Sequence, residues 1–167
     1  MTTLLRILRL YSLALWAGGE VFFIIVAGIA FSVLPDAHSA GSIVRSALID
    51  LHSIGIVAGV VYLLATLALL AMRHDTHRAR AAEVALVGVM LAVTLYSQMS
   101  VIPRMENDRL SLGGDVTQVS KDNPVRHDFD RLHSLSVNLE GAVLLCSLVL
   151  IALAPVHDRR TLKSTSN

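Results

Sequence analysis

The chain has 167 residues, 54% of them hydrophobic, 16% charged and 5% aromatic, with a formal net charge of +1. So large an excess of aliphatic residues over charges departs from a soluble domain and requires an apolar surrounding. The near-neutral balance leaves no basic face for nucleic acid, and the single cysteine, Cys146, cannot close an internal disulfide.

In chain order the apolar residues fall into runs at 10–34, 48–72, 81–102 and 132–154. At a rise of about 1.5 Å per residue each run crosses the roughly 30 Å of a bilayer's hydrocarbon, and in lipid it must be helical, because only a helix pairs its own backbone polar groups. The predicted fold is therefore all-α: an integral membrane four-helix bundle forming one domain over residues 1–156, followed by a polar tail at 157–167. Arg6 and Arg9 before the first run resemble the start of a signal peptide. The run is too long for one, however, and it ends at Leu34-Pro35 without a small-residue cleavage site.

Basic residues set the expected orientation, since Lys and Arg collect in short cytoplasmic loops. Arg6 and Arg9 precede the first run, Arg73, Arg78 and Arg80 lie in the second loop, and Arg159, Arg160 and Lys163 lie in the tail. The first loop has only Arg45, and in the long third connection acids outnumber bases. Both termini are therefore expected on the cytoplasmic side. Without an organellar presequence, a bacterial inner membrane is the expected location. The third connection is read as partly helical. Arg104 to Leu110 continues the third helix, Gly113-Gly114 breaks it, and Asn123-Pro124 supplies an N-cap followed by proline at the first position of the fourth.

Ionisable groups inside spans cost roughly 2.5–3.5 kcal/mol each at the bilayer centre, so each needs a reason. Four are read within the runs: Glu20, His52, His133 and Glu140. Helical spacing places His52, Gly55, Gly59 and Thr66 on one face of the second run, and His133, Ser136 and Glu140 on one face of the fourth. Thr94, Ser97 and Gln98 share a stripe on the third. These stripes point into the bundle, with His52 and His133 at matched depth, Gln98 level with them, Glu20 below and Arg104 above. The inner halves of the spans are expected to be nearly pure hydrocarbon. Met99 and Met105 are candidate soft ligands. Gly55 and Gly59 form a small-xxx-small motif suited to close helix packing, and His74 and His77 are read as part of a solvated turn.

Trp16, Phe23, Gly28, Phe31, Leu34-Pro35, His52, Pro103-Arg104, Phe129, His133, Ser136 and Asn138 together resemble the transmembrane protein 205-like family, also labelled copper-resistance-D-like. The resemblance runs from Trp16 to about Leu145. It implies a four-span membrane protein of largely unassigned function, with a link to metal resistance, and it carries over Trp16, His52, Pro103, Arg104, His133 and Ser136 as matching positions. Glu20 and Glu140 rest on the physical argument alone.

Four functions are weighed. The first is handling of a copper-like soft metal or cation in the outer half of the bundle by His52, His133, Gln98 and Met99. The second is haem b held by His52 and His133 as axial ligands. The third is an accessory role in a homo-oligomer or larger membrane complex. The fourth is a transporter, which would need oligomerisation because four spans form too little wall for a pathway, and no helix is broken in the transporter manner. Catalysis is not expected. Ser134 and Ser136 share one helix with His133 and have no third partner, and Gly113-Gly114 lacks the context of a phosphate loop.

Overall fold

The computed structural model describes residues 2–72 and 77–164, with side chains at 2–72 and 80–153. Helix α1 spans Thr2–Val33, α2 Ala37–Ala71 and α3 His77–Tyr96. A π-helical turn, Ser97–Val101, then carries the chain without a break into α4, Ile102–Ser111. A short 3-10 turn at Val116–Gln118 precedes α5, Pro124–Ser164. Four helical stretches are long and apolar enough to cross a membrane: Thr2–Val33, Ala37–Ala71, Arg80–Ser111 and Pro124–Leu153. The first packs on the second, the second on the third, the third on the fourth, and the fourth back on the first. Phe22, Ile25, Val57, Leu64, Leu145 and Leu148 form an exposed belt around this ring. Water would not tolerate such a surface, whereas lipid requires it.

The helices outrun the apolar segments that announce them. Asp36 accepts a hydrogen bond from the Ser39 backbone N–H at 2.7 Å and from its hydroxyl at 2.9 Å, capping α2 eleven residues before the apolar run opens at Leu48. Arg45 thus sits on a helix, not in a loop. Asn123 accepts from the N–H groups of Val125 and Arg126, and Pro124 takes the first position of α5, as expected. Gly113 and Gly114 have φ of 82° and 93°, a left-handed pair that ends α4. The backbone of α5 stays helical to Ser164, through most of the segment read as a tail. Arg73 and His74, and the side chains of His77, Arg78, Arg159, Arg160 and Lys163, lie outside the described residues.

The core is built around Trp16, with Leu13, Ala58, Tyr62, Val87, Met90, Val143 and Leu150. At its inner end, where the termini lie, the expectation of nearly pure hydrocarbon is corrected. Arg9, Tyr62, Arg80 and Glu83 form a fully buried ionic knot. Arg80 Nη1 donates to both Glu83 oxygens, at 2.7 and 2.9 Å. Arg9 donates to Glu83 Oε2 and, at 3.0 Å, to the Tyr62 hydroxyl, which itself donates to Glu83 at 3.0 Å. The Arg9 guanidinium also lies over the Tyr62 ring, 4.9 Å from its centroid. One carboxylate thereby joins α1, α2 and α3 where no water reaches it. Removing one member of such a group strands the remaining charges, so Glu83→Ala is expected to lower stability by about 3–5 kcal/mol. Thermal unfolding of the detergent-solubilised protein checks this, with the exposed Asp50→Ala as the comparison. Equal midpoints for the two variants would show that the knot contributes nothing.

Candidate functional site

A second polar cluster lies higher in the bundle. His52 on α2 places Nδ1 2.9 Å from Gln98 Oε1 and Nε2 2.8 Å from Glu140 Oε1 on α5. Gln98 and Glu140 thus hold the ring at both nitrogens, with Nε2 turned to the carboxyl group. Ser97 donates to the same Glu140 oxygen at 3.4 Å. Glu140 Oε2 is buried without a partner. Glu20, 3% exposed, stands on α1 one turn after Trp16 and lines the same cavity as Glu140.

Local sequence explains each placement. Gly55 and Gly59, read as a helix-packing motif, make room for a side chain: a Cβ on Gly55 would lie 2.7 Å from Trp16 Nε1, and one on Gly59 2.5 Å from Trp16 Cζ3. The indole thus lies against α2, over Gly55 and Gly59. The π-helical turn is explained by Pro103, which lacks the N–H that residue 99 would accept and crowds the preceding turn. Ser97 and Gln98 sit in that turn and both serve the cluster.

Above the cluster opens a cavity of about 730 Å³. Glu20, Glu140 and Ser136 line its lower part, Phe23, Leu48 and Leu144 its apolar wall, and Arg45, Arg109 and Arg126 its rim. The segment between α4 and α5 roofs it. His38 Nδ1 donates to Gly114 O at 2.6 Å, and Arg126 donates to the carbonyls of Val116 and Val119. Glu106 is held by Arg109 through bonds of 2.8 and 2.9 Å, and by Arg45 at 3.2 Å.

The structure gathers His52, Gln98, Glu140 and Glu20 from the candidate residues. Ser136 is buried in the cavity wall. His133 is not at matched depth. It is exposed, stacked on Phe129 with ring centroids 6.3 Å apart, and lies about 10 Å above Glu140 along α5. The helices' unequal overhang accounts for the offset, since α2 starts fifteen residues before His52 and α5 only nine before His133. Met99, 75% exposed, faces outward, while Met105 lines the cavity. Arg104 is exposed and does not line the cavity. Among the described residues no three His, Cys, Asp or Glu side chains converge as a metal-ligand set. Two carboxylates and one doubly bonded imidazole do not fit a soft metal. A haem would need His52 and His133 level and facing.

The sequence reading missed Arg9, Tyr62, Arg80 and Glu83. The signal was present, because Glu83 lies inside the third apolar run and Arg80 precedes it by three residues, the spacing of neighbours on a helix.

Four spans enclosing a roofed, largely apolar cavity with carboxyl groups in its lower part define an integral, multi-pass membrane protein. Residues 11–109 match the model of a family described as a domain of unknown function, DUF4149, and the chain belongs to that family. The match holds Glu20, His52 and Gln98, and stops before α5 with Glu140. No curated protein and no solved structure matches the chain. No named homologue supports the narrower transmembrane protein 205-like assignment.

Two predictions follow from this geometry. Gly59→Val is expected to cost about 1–3 kcal/mol by overpacking against the indole, whereas Gly88→Ala, whose Cβ would meet nothing within 4 Å, is expected to be tolerated. Unfolding midpoints and the emission maximum of the sole tryptophan measure both, and equal tolerance would refute the seating of Trp16. The second concerns acid. Asp36 titrates below its ordinary 3.8 because the Ser39 N–H donates into it, and Asp115 below the same value because the Thr117 hydroxyl does. Depressed carboxyls stabilise the fold at pH above the unfolded value and cease to do so as pH falls through the folded one. Amide protection at Ser39 and Thr117 is therefore expected to hold above pH 3.8 and to decline below it, and protection unchanged down to pH 2 would contradict this.

Proposed function

We propose that this protein binds a cationic species on Glu20 and Glu140 at the floor of the cavity. The observation that carries the reading is the pair of carboxyl groups lining that cavity, Glu140 bonded to His52 and Glu20 on the α1 side, with Glu140 Oε2 buried and unpartnered. In a low-dielectric bundle a carboxylate without a cationic partner is neutralised by a proton or by a bound cation. A non-metal cation fits this floor better than the copper suggested by the transmembrane protein 205-like resemblance, because the donors are hard carboxylates and Met99 faces away. We place both termini on the cytoplasmic side of a cell membrane, on the arginines at the inner end, so that the cavity lies in the outer half.

Trp16 is the only tryptophan and lies one helical turn before Glu20 on α1, so its fluorescence reports on the floor. Titration of the protein in lipid nanodiscs with tetramethylammonium is expected to give a saturable change. That change should weaken as pH falls and protons compete, and should be lost in Glu20→Gln and Glu140→Gln. A flat titration, or one unchanged in both variants, refutes the reading. Copper(I) added in parallel is expected to give no bound metal, and stoichiometric copper lost in His52→Ala would favour the metal instead.

A further inference from the structure

The cavity is roofed on its aqueous side, where His38, Thr117, Asp130 and His133 of its lining remain exposed, and it is ajar toward lipid. On the aqueous side, the segment from Gly114 to Val119 lies over it, fastened at one edge by His38 and at the other by Arg126. Beneath that segment the rim is crossed by the ion pairs of Glu106 with Arg45 and Arg109. Asp115 ties the roof's own turn by accepting from the Thr117 backbone and hydroxyl at 3.0 and 2.6 Å, and from the Gln118 amide at 3.2 Å.

On the side between α1 and α5 the described residues show no such fastening. It is the most sparsely packed seam of the ring. Ile24 on α1 and Val137 on α5 both line the cavity, and each is 57% exposed on the lipid-facing surface. Ala27 stands beside the first. Gly141 stands one turn below the second, is itself exposed, and a Cβ built on it would meet nothing within 4 Å. Lower on the same seam a shallow groove runs between Ala14, Gly18 and Val21 of α1 and Leu148 and Ile151 of α5.

We infer that the cavity takes its ligand from the bilayer through a window framed by Ile24, Ala27, Val137 and Gly141, and that the ligand is a lipophilic organic cation. The inference rests on the cation reading above and adds the route and the chemical class. Three features converge on it. A molecule arriving through hydrocarbon must partition there, which excludes small hydrated ions. The apolar wall rewards a hydrophobic body, and the two carboxyl groups require a positive charge within it. At about 730 Å³ the cavity has the size of sites for drug-sized molecules, about 300–1,000 Å³, and far exceeds what a bare ion needs.

The test compares tetraphenylphosphonium with tetramethylammonium, and with tetraphenylborate, which has the same shape and opposite charge. All are titrated against Trp16 fluorescence in nanodiscs, with Glu140→Gln in the same lipid correcting for partition. Tetraphenylphosphonium is expected to bind at least about a hundredfold more tightly than tetramethylammonium, the gain from burying aromatic surface. Tetraphenylborate is expected not to bind. Filling the window with Gly141→Phe is expected to weaken tetraphenylphosphonium at least about tenfold, the effect of an overpacked site, while tetramethylammonium stays nearly unchanged. Ala27→Phe, from the opposite wall, is expected to do the same and guards against misfolding of either variant, with an unshifted Trp16 emission maximum as the folding control. Similar affinities for the two cations, or tetraphenylphosphonium binding indifferent to both window variants, overturn the window and leave the cation reading standing. If neither cation binds, the cation reading falls and the window falls with it.

Discussion

A charge inside hydrocarbon has no water to turn to, so the bundle must supply its partner, and that constraint organises this molecule more than any apolar contact does. Lipid is as apolar as leucine, so burying aliphatic side chains between helices gains little over leaving them in the bilayer. What distinguishes the assembled bundle from four separate helices is the matching of Arg9, Arg80 and Glu83 at one end and of His52 and Glu140 towards the other. A helix displaced from the ring would carry one of these groups into lipid unpaired. The ionic pairs therefore fix which helices neighbour each other and at what depth, and Leu13, Val87, Met90 and Leu150 fill the space between them.

The same chemistry is resolved differently at the two levels. Around Glu83 both carboxylate oxygens accept from guanidinium groups, a phenol hydroxyl adds a further donor, and every member is closed off from the surface. That is a fastening. Around Glu140 one oxygen accepts from His52 and Ser97 while the other is left over, and a second carboxyl group, Glu20, lines the same cavity. At the inner level the unpartnered atom is Arg9 Nε, on a guanidinium whose Nη2 is bonded, whereas at the upper level it is a carboxylate oxygen beside a cavity. Each unsatisfied buried group costs the loss of its solvation, and a carboxylate oxygen facing a cavity can recover it from a ligand.

Much of the fold could be read directly. Apolar runs longer than a bilayer is thick have one solution in lipid, so the four spans followed from length alone, and Asn123-Pro124 and Gly113-Gly114 marked the ends of helices by local chemistry that needs no tertiary context. Depth could not be read in the same way. Counting from the edge of an apolar run places His52 and His133 level, but helices do not stop where hydrophobicity does. Asp36 starts α2 well outside the run, and the register moves with it. Partnership was also hidden. Helical spacing showed that His52, Gln98 and Glu140 each face inward, yet which imidazole nitrogen meets which acceptor depends on rotations between helices that one sequence does not encode locally. The inner knot was obscured for another reason. Arg9 and Arg80 fall just outside the apolar runs, where a basic residue reads as a topogenic charge, and their burial appears only when Tyr62 and Glu83 arrive from other helices.

The division of labour among the helices follows from where Glu140 stands. The family match spans α1 to α4, and those helices carry the seat of Trp16 on Gly55 and Gly59, the π-helical turn before Pro103, and the inner knot. Together they make a wall with Glu20, His52 and Gln98 on its inner surface. Helix α5 closes the ring against that wall, and its polar hold on the spans is concentrated at Glu140, through His52 and Ser97, with Arg126 holding the roof above. On its α1 side it presents Val137, Gly141 and Leu148, residues without a polar side chain. A helix pinned on one flank and unpinned on the other has one soft direction, away from α1. The same carboxylate that anchors α5 lies at the cavity floor, so whatever neutralises Glu140 also acts on the bond that keeps the fourth span in place.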